Sequence, residues 1–360
     1  MPAYLNAIGT AVPAHDVHAP YLEIAPYFLT SETDRKSFAK MARRAGITHR
    51  YSTLEPADPS RWTDRYDAEG FYRPGAFPST GARMKRYSRE APALVDGAIS
   101  DLAEQAGPDW AEGLTHLVIC TCTGFSAPGI DHHMVNAHGV PSTVERTLIG
   151  FMGCNAAING YKTARHIVTA DPTAKVLVLN VELCGLHFQE NAPLQTALMF
   201  MLFADGAAAA LVSAEPTGFE LEAFRSDMLP DSEGHITWDI GDNGFDMWLS
   251  GRVPRTIFKN LPGHFETLAA DAGGRDIDLW AIHPGGRTII DAVEAALELS
   301  AEDVAYSRGV LNDFGNMSSA TLPFVLRRML AEPRSGRTGV AIGFGPGVSV
   351  ESMVFSEAEG

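Results

Sequence analysis

The chain has 360 residues, 45% hydrophobic and 20% charged, which suits a soluble globular protein of two domains or one large α/β body. A formal charge of −16 and a pI near 5.1 argue against a nucleic-acid partner, which needs concentrated Lys and Arg. No apolar run approaches the roughly 18 residues of a membrane span, and "MPAYLNAIGTAVPAHD" lacks the basic start of a secretory signal, so a cytoplasmic protein is expected.

In chain order, "DRKSFAKMARRAGITHRYS" is a basic segment in an acidic protein; Lys40 and Arg44 are spaced i and i+4 and would share a helix face. Residues 51–90 have little periodicity and many turn formers, which reads as an ordered surface excursion. "REAPALVDGAISDLAEQA" is an amphipathic helix, "THLVICT" a short strand, and "TGFSAPGIDHHMVNAHG" a loop opening into a helix. Cys120 and Cys122 alternate along that strand and share a face. His132 and His133 lack a companion ligand motif and are expected on a solvated loop or helix face, so no metal site is read. "TLIGFM" is a strand entering the helix of Cys154, "KVLVLNVEL" a buried strand, and "ADGAAAALVSAE" the small-residue strand of a hairpin. The same grammar then returns: "DIDLWAIHPGGRTIIDAVEAALELS" is strand, Pro-Gly loop and helix, and "RTGVAIGFGPGVSVESMVF" is a closing hairpin. Strands alternating with helices predict a largely parallel, covered sheet. The echo suggests two similar α/β units, 1–215 and 216–360.

Three junctions could carry chemistry. Gly150 and Gly153 permit a tight strand-to-helix turn at Cys154, where free backbone N–H groups and the helix dipole would favour a thiolate. A buried structural cysteine is the open alternative. His283 ends an apolar strand and is turned out by Pro284, Gly285 and Gly286, at the sheet edge where ligand sites gather. Gly315 before Asn316 suggests a turn that aims the amide, although an N-capping role would also suit it. A cysteine, a histidine and an asparagine, each at a Gly-rich strand-to-helix junction, form a plausible set for nucleophilic work on an acyl group.

"GFMGCNAAING", "WAIHPGG", "GNMSSAT" and "GFGPGVSVE" resemble, in order and spacing, the signatures of type III polyketide synthases, the chalcone- and stilbene-synthase-like enzymes. The resemblance implies a thiolase-like fold, two similar α/β halves in α-β-α-β-α layers. It also implies iterative decarboxylative condensation of malonyl-CoA onto an acyl-CoA starter carried on Cys154, followed by cyclisation, in a homodimer needing no metal or other cofactor. His283, as imidazolium, would stabilise the thiolate, then join Asn316 in hydrogen-bonding the malonyl thioester oxygen. Phe203 falls on the family's gatekeeper position, and Met247 replaces the second. Cys122, Thr123, Cys184, His187, Trp238 and Ser318 fall on pocket positions; plant chalcone synthases have glycine where Trp238 stands. Lys40 and Arg44 fall on positions meeting coenzyme A phosphates, and a third basic position falls on Ser37. Ala127 replaces a methionine that reaches into the partner subunit's cavity in plant enzymes. A ketoacyl-ACP synthase III-like condensing enzyme is the alternative, since it shares the fold and the Cys-His-Asn set. Aliphatic starters giving alkylpyrones or alkylresorcinols are expected.

Overall fold

The computed structural model describes residues 1–190, 193–332 and 336–358. β1 (Tyr4–Ala11) and β2 (His15–Asp16) lead to α1 (His18–Phe28), α2 (Glu32–Ala42) and β3 (Tyr51–Ser52). Next come α3 (Thr80–Ala106), β4 (His116–Thr121), α4 (Ile130–Ala137), β5 (Glu145–Gly150), α5 (Ala156–Ala170), β6 (Val176–Leu183), α6 (Leu194–Phe200) and β7 (Asp205–Ser213). They are followed by β8 (Phe219–Met228), β9 (Ile236–Gly241), β10 (Gly244–Leu249), α7 (Val253–Asp271), β11 (Leu279–Ile282) and α8 (Arg287–Ala296). The chain closes with α9 (Ala305–Phe314), α10 (Thr321–Leu330), β12 (Thr338–Gly345) and β13 (Ser349–Glu357).

Nine strands hydrogen-bond in the order β11-β12-β13-β8-β1-β7-β6-β4-β5. Only β4/β5, β4/β6 and β11/β12 pair in parallel, so the sheet is mixed, not largely parallel as the alternation suggested. β7 and β13 run antiparallel to β6 and β12, and β1 and β8, two strands the periodicity missed, add further antiparallel pairs in the middle. β7 pairs with β1 and β6, so the expected hairpin after Ala204 is interrupted by the N-terminal strand; the closing β12–β13 hairpin forms as expected. Between β1 and β8 only Tyr4↔Glu220 and Leu5↔Phe219 are paired, and the sheet folds at this narrow seam.

Strand alternation sorts side chains into layers. On β4 and β6, Val118, Cys120, Val176 and Val178 face a central core with α5 and α10, while Leu117, Ile119, Leu177 and Leu179 face α3. On β11 and β12, Leu279, Ala281 and Ala341 face the same central core, and Trp280, Ile282, Val340 and Ile342 face α7 and α8. The result is α-β-α-β-α layering. α5 is buried on many sides because it is built from Ala156, Ala157, Gly160, Ala164 and Val168, residues small enough for close sheet approach. A Cβ at Gly160 would lie 2.8 Å from Val178 Cγ1. α3 begins at Thr80, capped by the Ser79 hydroxyl, and runs through Pro92; the surface excursion is therefore shorter than expected. Among the described residues, no helix is long and apolar enough to cross a membrane.

β1 and α3 touch backbone to backbone at Gly9, where a Cβ would fall 2.2 Å from Ala98 O and 2.3 Å from Leu102 N. Gly9→Ala should therefore destabilise the fold by about 3 kcal/mol through overpacking. Urea unfolding will read this as a lower midpoint at unchanged slope; an unaltered midpoint would mean that β1 and α3 can separate freely.

Candidate active site

The strand β5 ends at Gly150, and a 3-10 turn, Gly153–Asn155, carries Cys154 into α5. Gly153 has φ +81°, and a Cβ there would lie 2.3 Å from Pro346 Cδ, so this glycine lets the cysteine turn fit against the Gly345–Pro346 corner after β12. His283 follows β11 and extends its ladder, its N–H donating to Ile342 O at 2.8 Å. The tight turn expected after it is present, closed by Gly285 N–H donating to His283 O at 2.9 Å. Gly315, with φ +69°, ends α9 and delivers Asn316, whose N–H donates to Leu202 O at 2.8 Å.

These three junctions converge on one apolar cavity of about 850 Å³ including its mouth. The Asn316 amide is fixed in orientation. Its Oδ1 accepts from Ser318 N–H at 2.9 Å, and its Nδ2 donates to Gly285 O at 3.2 Å while standing 4.0 Å from Cys154 Sγ. His283 is buried, and neither ring nitrogen has a hydrogen-bond partner among the described residues. Such orphaned polar atoms in a cavity wall await a ligand group.

Burial sets the charges. It pushes the Cys154 thiol up to about 11, the nearby Glu182 carboxylate adding to the rise while hydrogen bonds from Ser318 and Asn316 oppose it. It holds the His283 imidazole down at about 3. The imidazolium anticipated from the sequence is thus not the form that burial favours by itself. A proton passed from sulfur to imidazole would create opposite charges in one cavity, each offsetting what burial costs the other.

Cys122, Thr123, Cys184, Phe203, Trp238, Met247 and Ser318 all line this cavity. Cys120 and Cys122 do share a face, their sulfurs meeting Ala156 O and Gly153 N–H beside the entry to α5. Trp238 and Met247 are cross-strand partners on the β9–β10 hairpin, so one small two-stranded sheet forms a wall. Sequence reasoning missed α6, whose Met199 and Phe200 also line the cavity, and Glu182. An acid within the otherwise apolar "KVLVLNVEL" was the signal for the latter. Its carboxylate, fully buried, accepts from Cys122 N–H at 2.9 Å and Thr123 Oγ1 at 2.7 Å, and from the Ser319 hydroxyl. Burial pushes it up to about 7 despite those donors.

The sequence models for the N-terminal and C-terminal domains of chalcone and stilbene synthases match residues 1–216 and 220–358. The chain belongs to the chalcone and stilbene synthase family. It is 34% identical over 98% of its length to the α-pyrone synthesis polyketide synthase-like Pks18 of Mycobacterium tuberculosis, 91% of which is covered. Among solved structures it resembles PKS-I of the brown alga Ectocarpus siliculosus, with a TM-score of 0.89 at 30% identity, over 99% of this chain and 98% of that one. It also resembles the 1,3,6,8-tetrahydroxynaphthalene synthase of Streptomyces coelicolor A3(2), with a TM-score of 0.88 at 28% identity, over 99% of this chain and all of that one. It is therefore a type III polyketide synthase of thiolase-like fold, an acyltransferase, and the ketoacyl-ACP synthase alternative is not favoured.

Four residues singled out by the resemblance lie outside this cavity: His187, Lys40, Arg44 and Ala127. His187 sits one layer behind it, fully buried, with its Nε2–H donating to Thr123 O at 2.7 Å and its Nδ1 accepting from Phe245 N–H at 2.9 Å. Burial holds that imidazole neutral, down at about 3. Lys40 is exposed on α2, and Arg44, also exposed, lies in the turn that closes that helix, its N–H donating to Met41 O at 3.0 Å before the chain turns at Gly46. Ala127 lines a separate open hollow with Phe125 and Leu148.

The charge argument has a direct readout. In His283→Gln the thiol keeps its raised pKa with no imidazole to take the proton, so alkylation of Cys154 near neutral pH should drop at least about 100-fold. It should recover only as the pH climbs towards the thiol's value of about 11. Rates of iodoacetamide labelling across pH, read by peptide mass, check this; superimposable profiles for the two proteins would remove the imidazole from proton transfer.

Proposed function

We propose that this synthase carries an aliphatic acyl starter on Cys154, extends it with malonyl-CoA and releases alkylpyrones or alkylresorcinols. The observation that carries the reading is the meeting of Cys154, His283 and Asn316 in one cavity whose remaining wall is apolar. In loading, the Cys154 sulfur bonds to the starter carbonyl carbon, the carbon–sulfur bond to coenzyme A breaks, and the cysteine proton leaves on the coenzyme A thiol. Malonyl-CoA then loses carbon dioxide, and the electron pair of the broken bond spreads from the α-carbon to the thioester oxygen. The His283 imidazole and the free Asn316 N–H are the donors for that oxygen, placed before the charge develops. The α-carbon attacks the Cys154 thioester, a carbon–carbon bond forms, and the sulfur is freed for the next cycle. No step calls for a metal or redox cofactor.

The unit 1–215 would supply the nucleophile and the unit 216–360 both donors, so chemistry requires the two to dock. Lys40 and Arg44, both exposed, would meet coenzyme A phosphates from the end of α2 and its closing turn. A homodimer in the cytoplasm completes the reading. The aliphatic starter is supported by the lining, which combines Cys122, Cys184, Met199, Met247, Ile236 and Leu249, and by the α-pyrone synthesis named for Pks18. The tetrahydroxynaphthalene named for the Streptomyces relative is the competing product class.

Two experiments test these assignments. Asn316→Ala should still acquire a starter, seen as added intact mass, while releasing carbon dioxide from malonyl-CoA about 100-fold more slowly, the loss expected for one oxyanion donor. Decarboxylation at the parent rate would take Asn316 out of the site. Separately, a panel of acyl-CoAs from acetyl to palmitoyl, with aromatic starters and malonyl-CoA alone, should give highest kcat/KM with a medium or long aliphatic chain. Preference for an aromatic starter or for malonyl-CoA alone would overturn the aliphatic reading.

A further inference from the structure

Of the histidine doublet expected on a solvated face, His132 is exposed on α4 and His133 turns inward. His133, on α4, and His138, at its C-terminal cap, turn back against α3 and converge on Asp96. The Nε2 atoms lie 2.5 Å and 2.6 Å from one and the same Asp96 oxygen, Oδ1. The two rings stand edge to face, with centroids 5.5 Å apart. The side chains of His133, His138 and Asp96 are 24%, 17% and 43% exposed, so the cluster is half-buried with one open side. Among the described residues these are the three His, Cys, Asp or Glu ligand atoms that come together within 4.8 Å of one another. No Lys or Arg is paired with Asp96 among the described residues; only the two imidazoles approach it.

We propose that Asp96, His133 and His138 form a zinc-binding site, remote in sequence and chemistry from the Cys154 cavity. Two imidazole nitrogens and one carboxylate oxygen are a donor set that zinc accepts, with a fourth position left to water on the open side. Zinc bonds of about 2.0–2.1 Å in tetrahedral geometry space their donors by roughly 3.3 Å. The present spacing needs to widen by roughly 0.8 Å to reach that, a small rotation for half-exposed side chains. The scaffold already favours this. Asp96 is flanked on α3 by Val95 and Ala98, 1% and 0% exposed, and the helix cannot drift. His138 leaves the helical conformation at the cap, which lets it reach the same point as a residue five positions earlier. The ring of Trp110 lies 6.5 Å from that of His138 on the inner side. A bound zinc would tie the end of α4 to the middle of α3. It would thereby brace the 122–138 segment, whose first residues line the active cavity. The role is structural.

The test uses the full chain, stripped with chelator and titrated with zinc by equilibrium dialysis, and with cobalt for its spectrum. One equivalent should bind, and the cobalt complex should show visible ligand-field bands without thiolate charge transfer, since the four free cysteines are outside the site. The paired variant His133→Gln/His138→Gln should lose at least about 100-fold in affinity, as removal of two of three ligands demands. Asp96→Asn preserves both imidazoles and guards against a folding failure of the pair; it should weaken binding about 10-fold. Zinc should raise the Tm of the parent protein and not that of the paired variant. No stoichiometric binding, equal affinity in the variants, or thiolate charge transfer would each overturn the proposal.

Discussion

The arrangement of this site depends on one packing constraint: α5 and α10 are held together between the two arms of the folded sheet. Each begins at the cavity. Cys154 stands in the 3-10 turn that enters α5, and Asn316 precedes the 3-10 turn Ser318–Ala320 that enters α10. Two helix N-termini therefore open towards the same space, and their dipoles favour negative charge there. Neither helix can shift without disturbing both sheet arms, since α5 packs on β4, β6 and β7 from one arm and on β8, β12 and β13 from the other. Position is thus secured by burial far from the chemistry, and the cavity itself can stay apolar and open.

That positive end-field meets a buried acid. Glu182 projects from β6 into the same neighbourhood and is satisfied by three donors, two of them on the Cys122–Thr123 segment. Its carboxylate, pushed up to about 7, lies near neutrality, and its charge raises the Cys154 thiol in turn. Burial drives the carboxylate and the thiol upward and the His283 imidazole downward, all three towards their neutral forms. The Cys154 thiol and the Glu182 carboxylate thus influence each other's protonation across the wall of the cavity.

How much of this could be read from sequence follows from how local each feature is. The junctions at Cys154, His283 and Asn316 were legible because glycines and a proline fix the turns within five residues, and those positions do come together, although Asn316 follows the helix α9 and not the strand expected there. The paired wall residues Trp238 and Met247 were recognised only as family positions, since their adjacency arises from a hairpin without strong alternation. β1 stayed invisible because its small and polar residues are set by close contact with α3 at Gly9, a long-range constraint. The end of α2 was less legible: the helix closes at Ala42, and Arg44 falls in the turn after it. His133 was misread for a similar reason, because its partner Asp96 lies on another helix and nothing in the local sequence announces it.

The wall that shapes the cavity is anchored separately from the groups that act in it. After β4 ends, two consecutive carbonyls are left without strand partners, and rings take them up: Trp238 Nε1–H donates to Cys122 O at 2.8 Å, and His187 Nε2–H donates to Thr123 O at 2.7 Å. His187 then stacks on Phe245 at 4.2 Å between centroids and accepts that residue's N–H, which ties the β9–β10 hairpin to the 122–123 segment. The indole is therefore both wall and fastener. Replacing it by a small residue would enlarge the cavity and also strip a buried carbonyl of its donor, two effects that a change in starter preference alone cannot separate. Met247, its cross-strand neighbour, carries no hydrogen bond from its side chain and is flexible. Cavity shape can thus vary at Met247 at little structural cost, whereas Trp238 is constrained by the backbone it holds.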